Sequence, residues 1–551
     1  MKIFTKKETI IYYILALYFL VGLTIYKDFG VGIEEHFQRS SGFYWLNYVL
    51  QFTDFEFLKD QVIEKITQIK DLYPNLPSVE IAKNYGVVFD LPMALLETLL
   101  NFSEGKDQFY LRHFFNFFIF LTSGFAFYLL ILGRTKTYYV AISSCLFYLL
   151  SPRIFGNSFF DGKDLFFLSL VTFTFYFYFL FNKNKSITTI LIFSFFSALC
   201  TSTRIIGFIF PISFLMIKIF KIINNYKNKK NYYELLLYFT FYFLFLFIHW
   251  PYLWTLEFSE LSNFLLGFRV IANPEVFFNG NYYISEYLPF NYIPLWIFIS
   301  TPEIIIGFFI FGFIFYTFRI FKRFININES LRYNDLWRGM KEKVDFFILF
   351  SLFQVLIVYL SFSINLYGGW RHFLFLNFFV VYFASYGIYL FSQKIRNNLN
   401  YKKFYILFLI FFTIQITYEL YKYHPFQSMY FNNFVTKKMK KNFEVDTQSL
   451  SRVAAIRDVI RDTSTKEQVY IGTASWTPLE NGRSLIDKSY WKKLNFIGTE
   501  NKQKADYIYT NFYYEVNPQF EKKYKIPENF KLFKSLSIDN TIIYSIYKKT
   551  Q

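Results

Sequence analysis

Residues 9–39 read TIIYYILALYFLVGLTIYKDFGVGIEEHFQR. The first part of this stretch, residues 9–26, is an apolar run long enough to cross a bilayer. Lys2, Lys6 and Lys7 precede it, and basic residues stay on the cytoplasmic side, so the N-terminus is placed inside. The run is too long for a removed signal peptide and lacks a small-residue cleavage site. Glu34 and Glu35 then emerge side by side at the outer face. Two adjacent acids beside a membrane are costly when partly buried, so they need partners. A solvated loop and a functional site are both open readings of the pair at this point.

The rest of the chain extends the membrane reading. Of its 551 residues, 54% are apolar and 25% aromatic, above what soluble domains carry. Further apolar runs fall at residues 110–132, 138–150, 165–181, 187–200, 205–219, 235–248, 294–318, 346–362, 373–391 and 404–418. With the first they make about eleven spans, N-terminus in and C-terminus out. The net charge of +18 does not call for nucleic acid, because the cations cluster in loops on one side. Inward loops hold roughly 23 Lys and Arg; the short outward turns hold Arg153, Lys163, Arg204 and Arg371. Cys145 and Cys200 lie within apolar runs and imply neither a disulfide framework nor a thiolate metal site.

Between the first two spans runs a long outward segment with amphipathic patches at 44–57 and 86–102, read as interfacial helices. The stretch 151–164 reads as an outward turn between the third and fourth spans. Beyond residue 435 no span follows. A helix at 449–460, strands at 468–472 and 507–510, and a hairpin at 531–548 turning at Asp539-Asn540 predict a small α/β domain outside the membrane. The predicted fold class is an all-α polytopic membrane protein, residues 1–435, with a C-terminal extracytoplasmic α/β domain, residues 436–551.

The outward turns collect Glu34, Glu35, His36, Lys83, Asp90, Arg153, Asp161, Lys163, Asp164, Arg204, His249, Arg371 and His372. Both charge signs meet on one side of the membrane, while the span middles are almost wholly apolar. A transporter places its charges near the midplane, so a site at the membrane–water interface fits better. A carboxylate can take a proton from an acceptor hydroxyl; Arg and Lys can hold a phosphate, Arg with two parallel bonds. Together they suit transfer from a lipid-linked phosphosugar, though phospholipid chemistry uses the same groups. Asp161 and Asp164 also qualify as helix caps, and Arg153 and Lys163 as headgroup anchors. Arg371-His372 stands at the outer start of a span, where a cation is unfavourable unless an anion joins it. No spacing demands a metal at His36 and the acids.

On these residues the chain resembles the GT-C glycosyltransferases, in the branch of protein O-mannosyltransferases and lipid A aminoarabinose transferases. That branch carries an Asp-Glu pair soon after the first span, here Glu34-Glu35, with Glu at the first place as a departure. Asp161-Gly162-Lys163-Asp164-Leu165 matches its second acidic position, and Lys83-Asn84-Tyr85-Gly86 the start of an interfacial helix. Residues 288–296, 368–372 and 424–432 resemble stretches of bacterial members. The resemblance implies a polyprenyl-phosphate sugar donor, inversion at the anomeric carbon and no cofactor, a divalent cation not being indicated. It also implies a bacterial inner-membrane location with the site and C-terminal domain periplasmic, and a protein, lipid A or polysaccharide acceptor. The roles implied are Glu34 and Glu35 in catalysis, Arg371, His372 and Arg204 on the donor phosphate, and Asp164, Lys163, Asp161 and Lys83 orienting substrate. A polysaccharide polymerase or ligase, and a transporter or flippase of lipid-linked glycans, are the rival readings.

Overall fold

The computed structural model describes residues 9–550 except 104, 257–271, 326–338, 363 and 464–466. Lys2, Lys6 and Lys7, part of the second long outward loop and the middle of the basic loop after the eighth expected span lie outside the described residues.

The protein is a multi-pass membrane protein. Seven described helices are long and apolar enough to cross a membrane: α5 (Asp107–Thr135), α8 (Asp164–Asn184), α10 (Ile209–Asn224) with the turn before it, α11 (Lys229–His249), α13 (Glu303–Ile325), α14 (Met340–Ser361) and α16 (Leu399–Tyr423). An eighth span arises if α6 (Tyr138–Leu150) and α7 (Pro152–Phe160), bent by 60°, are taken as one. The other expected spans fall on α1 (Ile10–Ile25) and α9 (Ile187–Thr203), which are apolar but short, and on α15 (Leu376–Lys394).

Two expectations are corrected, both at proline. The stretch 151–164 is largely helix α7, not a turn. Pro152 stands at its first position, where a missing N–H costs nothing and φ is already helical, and every residue of α7 is buried. The eighth span is two pieces, α12 (Tyr292–Ser300) and α13. Pro302 cannot continue the ladder and disfavours helical backbone in the residue before it, and Thr301 is extended.

The first outward segment is more helical than its amphipathic patches suggest. It folds into α2 (Glu35–Leu50), α3 (Glu56–Leu72) and α4 (Asp90–Leu99). Phe43, Leu46, Leu50, Val62, Ile69 and Ala94 close a small core among the three.

The C-terminal region holds α17 (Ser451–Asp462) against a sheet ordered β4-β3-β5-β7-β6. Its strands are β3 (Val469–Thr473), β4 (Leu494–Gly498), β5 (Tyr507–Thr510), β6 (Phe530–Ile538) and β7 (Thr541–Lys549). β3 runs parallel to β4 and β5, and β7 antiparallel to β5 and β6. The turn between β6 and β7 sits at Asp539 and Asn540, both at positive φ (50° and 62°), as a two-residue hairpin requires. Strand β4 and the hairpin β1 (Glu275–Phe278) and β2 (Asn281–Ile284) were not foreseen.

This region is clamped onto the first outward loop. Arg452, fully buried, donates to the carbonyls of Val31 (2.9 Å) and Pro478 (3.1 Å). His36 lies 2.9 Å from the Asn481 carbonyl. At Gly30 the backbones approach so closely that a Cβ would lie 2.3 Å from the Leu450 carbonyl oxygen, so only glycine fits.

Candidate active site

The acid pair falls at a helix start. Glu34 is the residue before α2 and Glu35 its first residue, where the helix dipole favours negative charge. Successive positions on a helix point apart, and the two side chains meet different partners. Glu34 Oε1 accepts from Arg371 Nη2 at 2.7 Å, and its side chain is 38% exposed while that of Arg371 is 7% exposed. Arg371 comes from the turn before α15, 337 residues away. Gly368 and Gly369 precede it at φ +70° and +68°, and a Cβ at Gly368 would crowd the Arg371 stem at 3.1 Å.

Burial raises the proton affinity of Glu34, but Arg371, then Lys163 and Arg204, outweigh it and hold its carboxyl below the ordinary glutamate value. Burial opposes the charge on Arg371, yet Glu34 beside it raises its pKa above the usual arginine range.

The second acidic position folds beside the first. The Asp161 carboxylate accepts from the backbone N–H of Asp164 (2.8 Å) and of Lys163 (3.3 Å), capping α8. Burial pushes Asp161 up to about 6, against the pull of Arg371 and Arg204. Asp164 forms an ion pair with Arg204, which follows the end of α9. Lys163 lies 3.7 Å over the Tyr85 ring, and burial, with Arg204 nearby, brings it down to about 7. His372 stacks edge-on against Tyr367 (5.0 Å) and its buried Nδ1 has no partner. Burial and the neighbouring Arg371, Arg204 and Lys163 push its pKa well down, so the ring is neutral at pH 7 and offers a hydrogen bond rather than a charge.

Of the nine residues singled out from the sequence, Lys83 is set apart. It is exposed and pairs with Glu80 at 3.1 Å.

Behind the pair lies a buried network of which the sequence singled out only Glu35 and Asp90. Glu35 Oε2 accepts from the Gly32 N–H at 2.6 Å, and both Glu35 oxygens face His113 Nε2, at 3.1 and 3.3 Å. Arg39 and Arg112 donate to opposite oxygens of Glu97 (both 2.8 Å), and Arg112 also reaches Asp90 (2.9 Å). The network ties α2 to α4 and α5. The available signal was Arg112-His113 in the first turns of an apolar span, where ionisable residues are rare and partnered. A second such network joins Asp345 to Arg134, Arg319 and Tyr382 at the other ends of the spans.

The cluster therefore offers a partly open carboxylate, three cations and a neutral imidazole on one surface. Among the described residues no group of three or more His, Cys, Asp or Glu is placed to hold a metal ion.

No family model and no curated protein matches this sequence. Similar solved structures include ArnT from Cupriavidus metallidurans in the apo state (9% identity, 97% of each chain, TM-score 0.43). The same protein bound to undecaprenyl phosphate is another (11% identity, 98% of each chain, TM-score 0.39). A third is the apo oligosaccharyltransferase of Archaeoglobus fulgidus (11% identity, TM-score 0.42), which covers 77% of this chain while this chain spans 57% of its length.

Proposed function

We propose that this protein is a GT-C type glycosyltransferase that moves a sugar from a polyprenyl-phosphate donor to an acceptor hydroxyl at the outer face of a bacterial inner membrane. The observation that carries the reading is the 2.7 Å pair between Glu34 and Arg371, with Asp164–Arg204 and Lys163 around it. A base and a phosphate clamp are the two parts the reaction needs, and they share one place.

Glu34 is the base. One of its oxygens is held by Arg371 and the side chain is reachable from outside, whereas Glu35 is buried and engaged by Gly32 and His113. The acceptor O–H gives its proton to Glu34 as its oxygen attacks the anomeric carbon. The bond from that carbon to the phosphate oxygen breaks, and the electron pair leaves with the phosphate. Arg371, Arg204 and Lys163 balance the charge that develops there. Attack opposite the leaving phosphate inverts the anomeric centre. Glu35 fixes the loop, Asp161 and Asp164 orient Lys163 and Arg204, and no metal enters the scheme.

The test is transfer of radiolabelled sugar from a polyprenyl-phosphate donor by the purified, reconstituted protein. Transport of the lipid without bond cleavage would overturn the reading in favour of a flippase. Transfer only from a pyrophosphate-linked oligosaccharide would overturn it in favour of a polymerase or ligase.

A further inference from the structure

Arg371 also walls a small cavity that Glu34 does not line. Its volume is about 10 Å³, room for a single water-sized centre. Arg153, Asn157, Gly368, Arg371 and Ser428 form much of its lining. Four buried atoms of these residues have no hydrogen-bond partner: Arg153 Nε, Arg371 Nε, Ser428 Oγ and Asn157 Oδ1. Their residues are 3–6% exposed. Two of these atoms are guanidinium donors, the Ser428 hydroxyl can donate, and no acid lines the cavity.

Arg153 is the unusual member. The sequence suggested a headgroup anchor, but the side chain is buried within α7. It donates to the Tyr430 carbonyl at 3.3 Å and lies over the rings of Trp296 (5.1 Å) and Phe431 (6.0 Å). Among the described residues no carboxylate forms an ion pair with it. A buried guanidinium without an anion costs several kcal/mol, so a fold that retains one has a place for negative charge. The cavity between Arg153 and Arg371 is that place.

Building on the donor class proposed above, we infer that this cavity seats a phosphate oxygen of the polyprenyl donor, with Arg153 and Arg371 as its paired guanidiniums and Ser428 as a third donor. Asn157 Oδ1, an unpartnered acceptor in the wall, holds the water that fills the seat when no donor is present. The seat makes Arg371 common to phosphate and base. When phosphate engages Arg371, less of its charge is left to Glu34, so the carboxylate gains proton affinity as the donor arrives. Binding thus readies the base only when a donor is present.

The experiment measures binding of undecaprenyl phosphate, and separately of inorganic phosphate, to the full chain in detergent. For wild type, the lipid is expected to bind and inorganic phosphate to compete with it. Arg153→Gln is expected to weaken lipid binding about tenfold or more, the worth of one charged hydrogen bond, and Arg153→Lys to recover part of it. Ser428→Ala, which removes only an unpartnered hydroxyl, is expected to weaken it about threefold and decides the matter if Arg153→Gln does not fold. Unchanged lipid affinity in folded variants would mean that the cavity holds only water and would overturn the assignment while leaving the transferase reading intact. Loss of inorganic phosphate binding with lipid binding kept would overturn the donor as its source. A wild type that binds no polyprenyl phosphate at all would instead sink the transferase reading itself.

Discussion

Replacing Glu34 by Gln and, separately, Glu35 by Gln separates base from support. Gln at position 34 keeps the volume and can still accept from Arg371 Nη2. What is lost is the charge on one side of a pair whose acid is 38% exposed. Screening at that exposure keeps the loss below that of a wholly buried pair, but Arg371 is left buried without its acid, so stability falls by about 1–3 kcal/mol. Removal of a general base costs about 10²- to 10⁴-fold in rate, or about 3–5 kcal/mol of barrier. At position 35 the ordering reverses. Glu35 is 5% exposed and holds Gly32 N–H and His113, so one amide replacing its carboxylate disturbs two buried hydrogen bonds. That costs about 2–4 kcal/mol of stability, with a rate loss of about tenfold or less through a looser loop. The assay pairs single-turnover transfer of radiolabelled sugar with thermal unfolding of the same detergent-solubilised samples. Glu34→Gln should lose far more in rate than in melting temperature, Glu35→Gln the opposite. A Glu34→Gln protein that keeps more than about a tenth of the wild-type rate, or a Glu35→Gln protein that is stable and inactive, would refute the assignment.

The pH profile of kcat/KM for the donor should fall on the alkaline side as Lys163 loses its proton near about 7, and Lys163→Arg should remove that limb. Its acid limb should lie below the ordinary glutamate range, because Arg371 keeps Glu34 ionised there; Arg371→Gln should move that limb up in pH, seen in the same titration. Arg452→Ala should cut the transfer rate by about tenfold without loss of membrane insertion, since the bond to the Val31 carbonyl holds the loop that carries Glu34; proteolysis of that loop should quicken in parallel. Asp345→Asn leaves the buried Arg134 and the half-buried Arg319 without their acid and should lower stability by about 3 kcal/mol. The rate per folded molecule should stay within about twofold, because that network has no part in the transfer step.

Apolar periodicity made the membrane class readable, because a span must satisfy its backbone internally and so declares itself by length and composition. It could not locate the breaks at Ser151-Pro152 and Thr301-Pro302, which depend on packing against other helices. Half of the candidate site was legible for a related reason. Glu34, Asp161, Lys163, Asp164, Arg204 and Arg371 stand out as charges in short outward turns. Arg39, Glu97, Arg112 and His113 do not, because on amphipathic or apolar helices a buried ion pair and a solvated face have the same spacing. Arg153 was visible with two readings, member of the polar cluster or headgroup anchor, and its burial removes the second. The one-dimensional pattern puts it at a membrane edge, and only the bend that makes α7 turns it inside. Lys83 differs again: its place in the motif suggested substrate, and the structure sets its side chain at the surface, paired with Glu80.

The proton inventory behind the acid pair bears on why two adjacent glutamates take different roles. His113 Nδ1 lies 3.3 Å from the Tyr26 carbonyl, and Nε2 faces the Glu35 carboxyl at 3.1 Å. Both neighbours are acceptors, and a neutral imidazole carries only one N–H. The ring can therefore donate to only one of them, and the closer contact is the one to the Glu35 carboxyl. Both Glu35 oxygens are thus engaged, by Gly32 and His113, whereas Glu34 has one oxygen held by Arg371 and the other left for an acceptor hydroxyl. The same geometry makes His113→Asn a sharp discriminator: the asparagine can satisfy one side but not both. The Tyr26 and Glu35 ends then loosen, and the effect should appear in stability before it appears in the pH dependence of transfer.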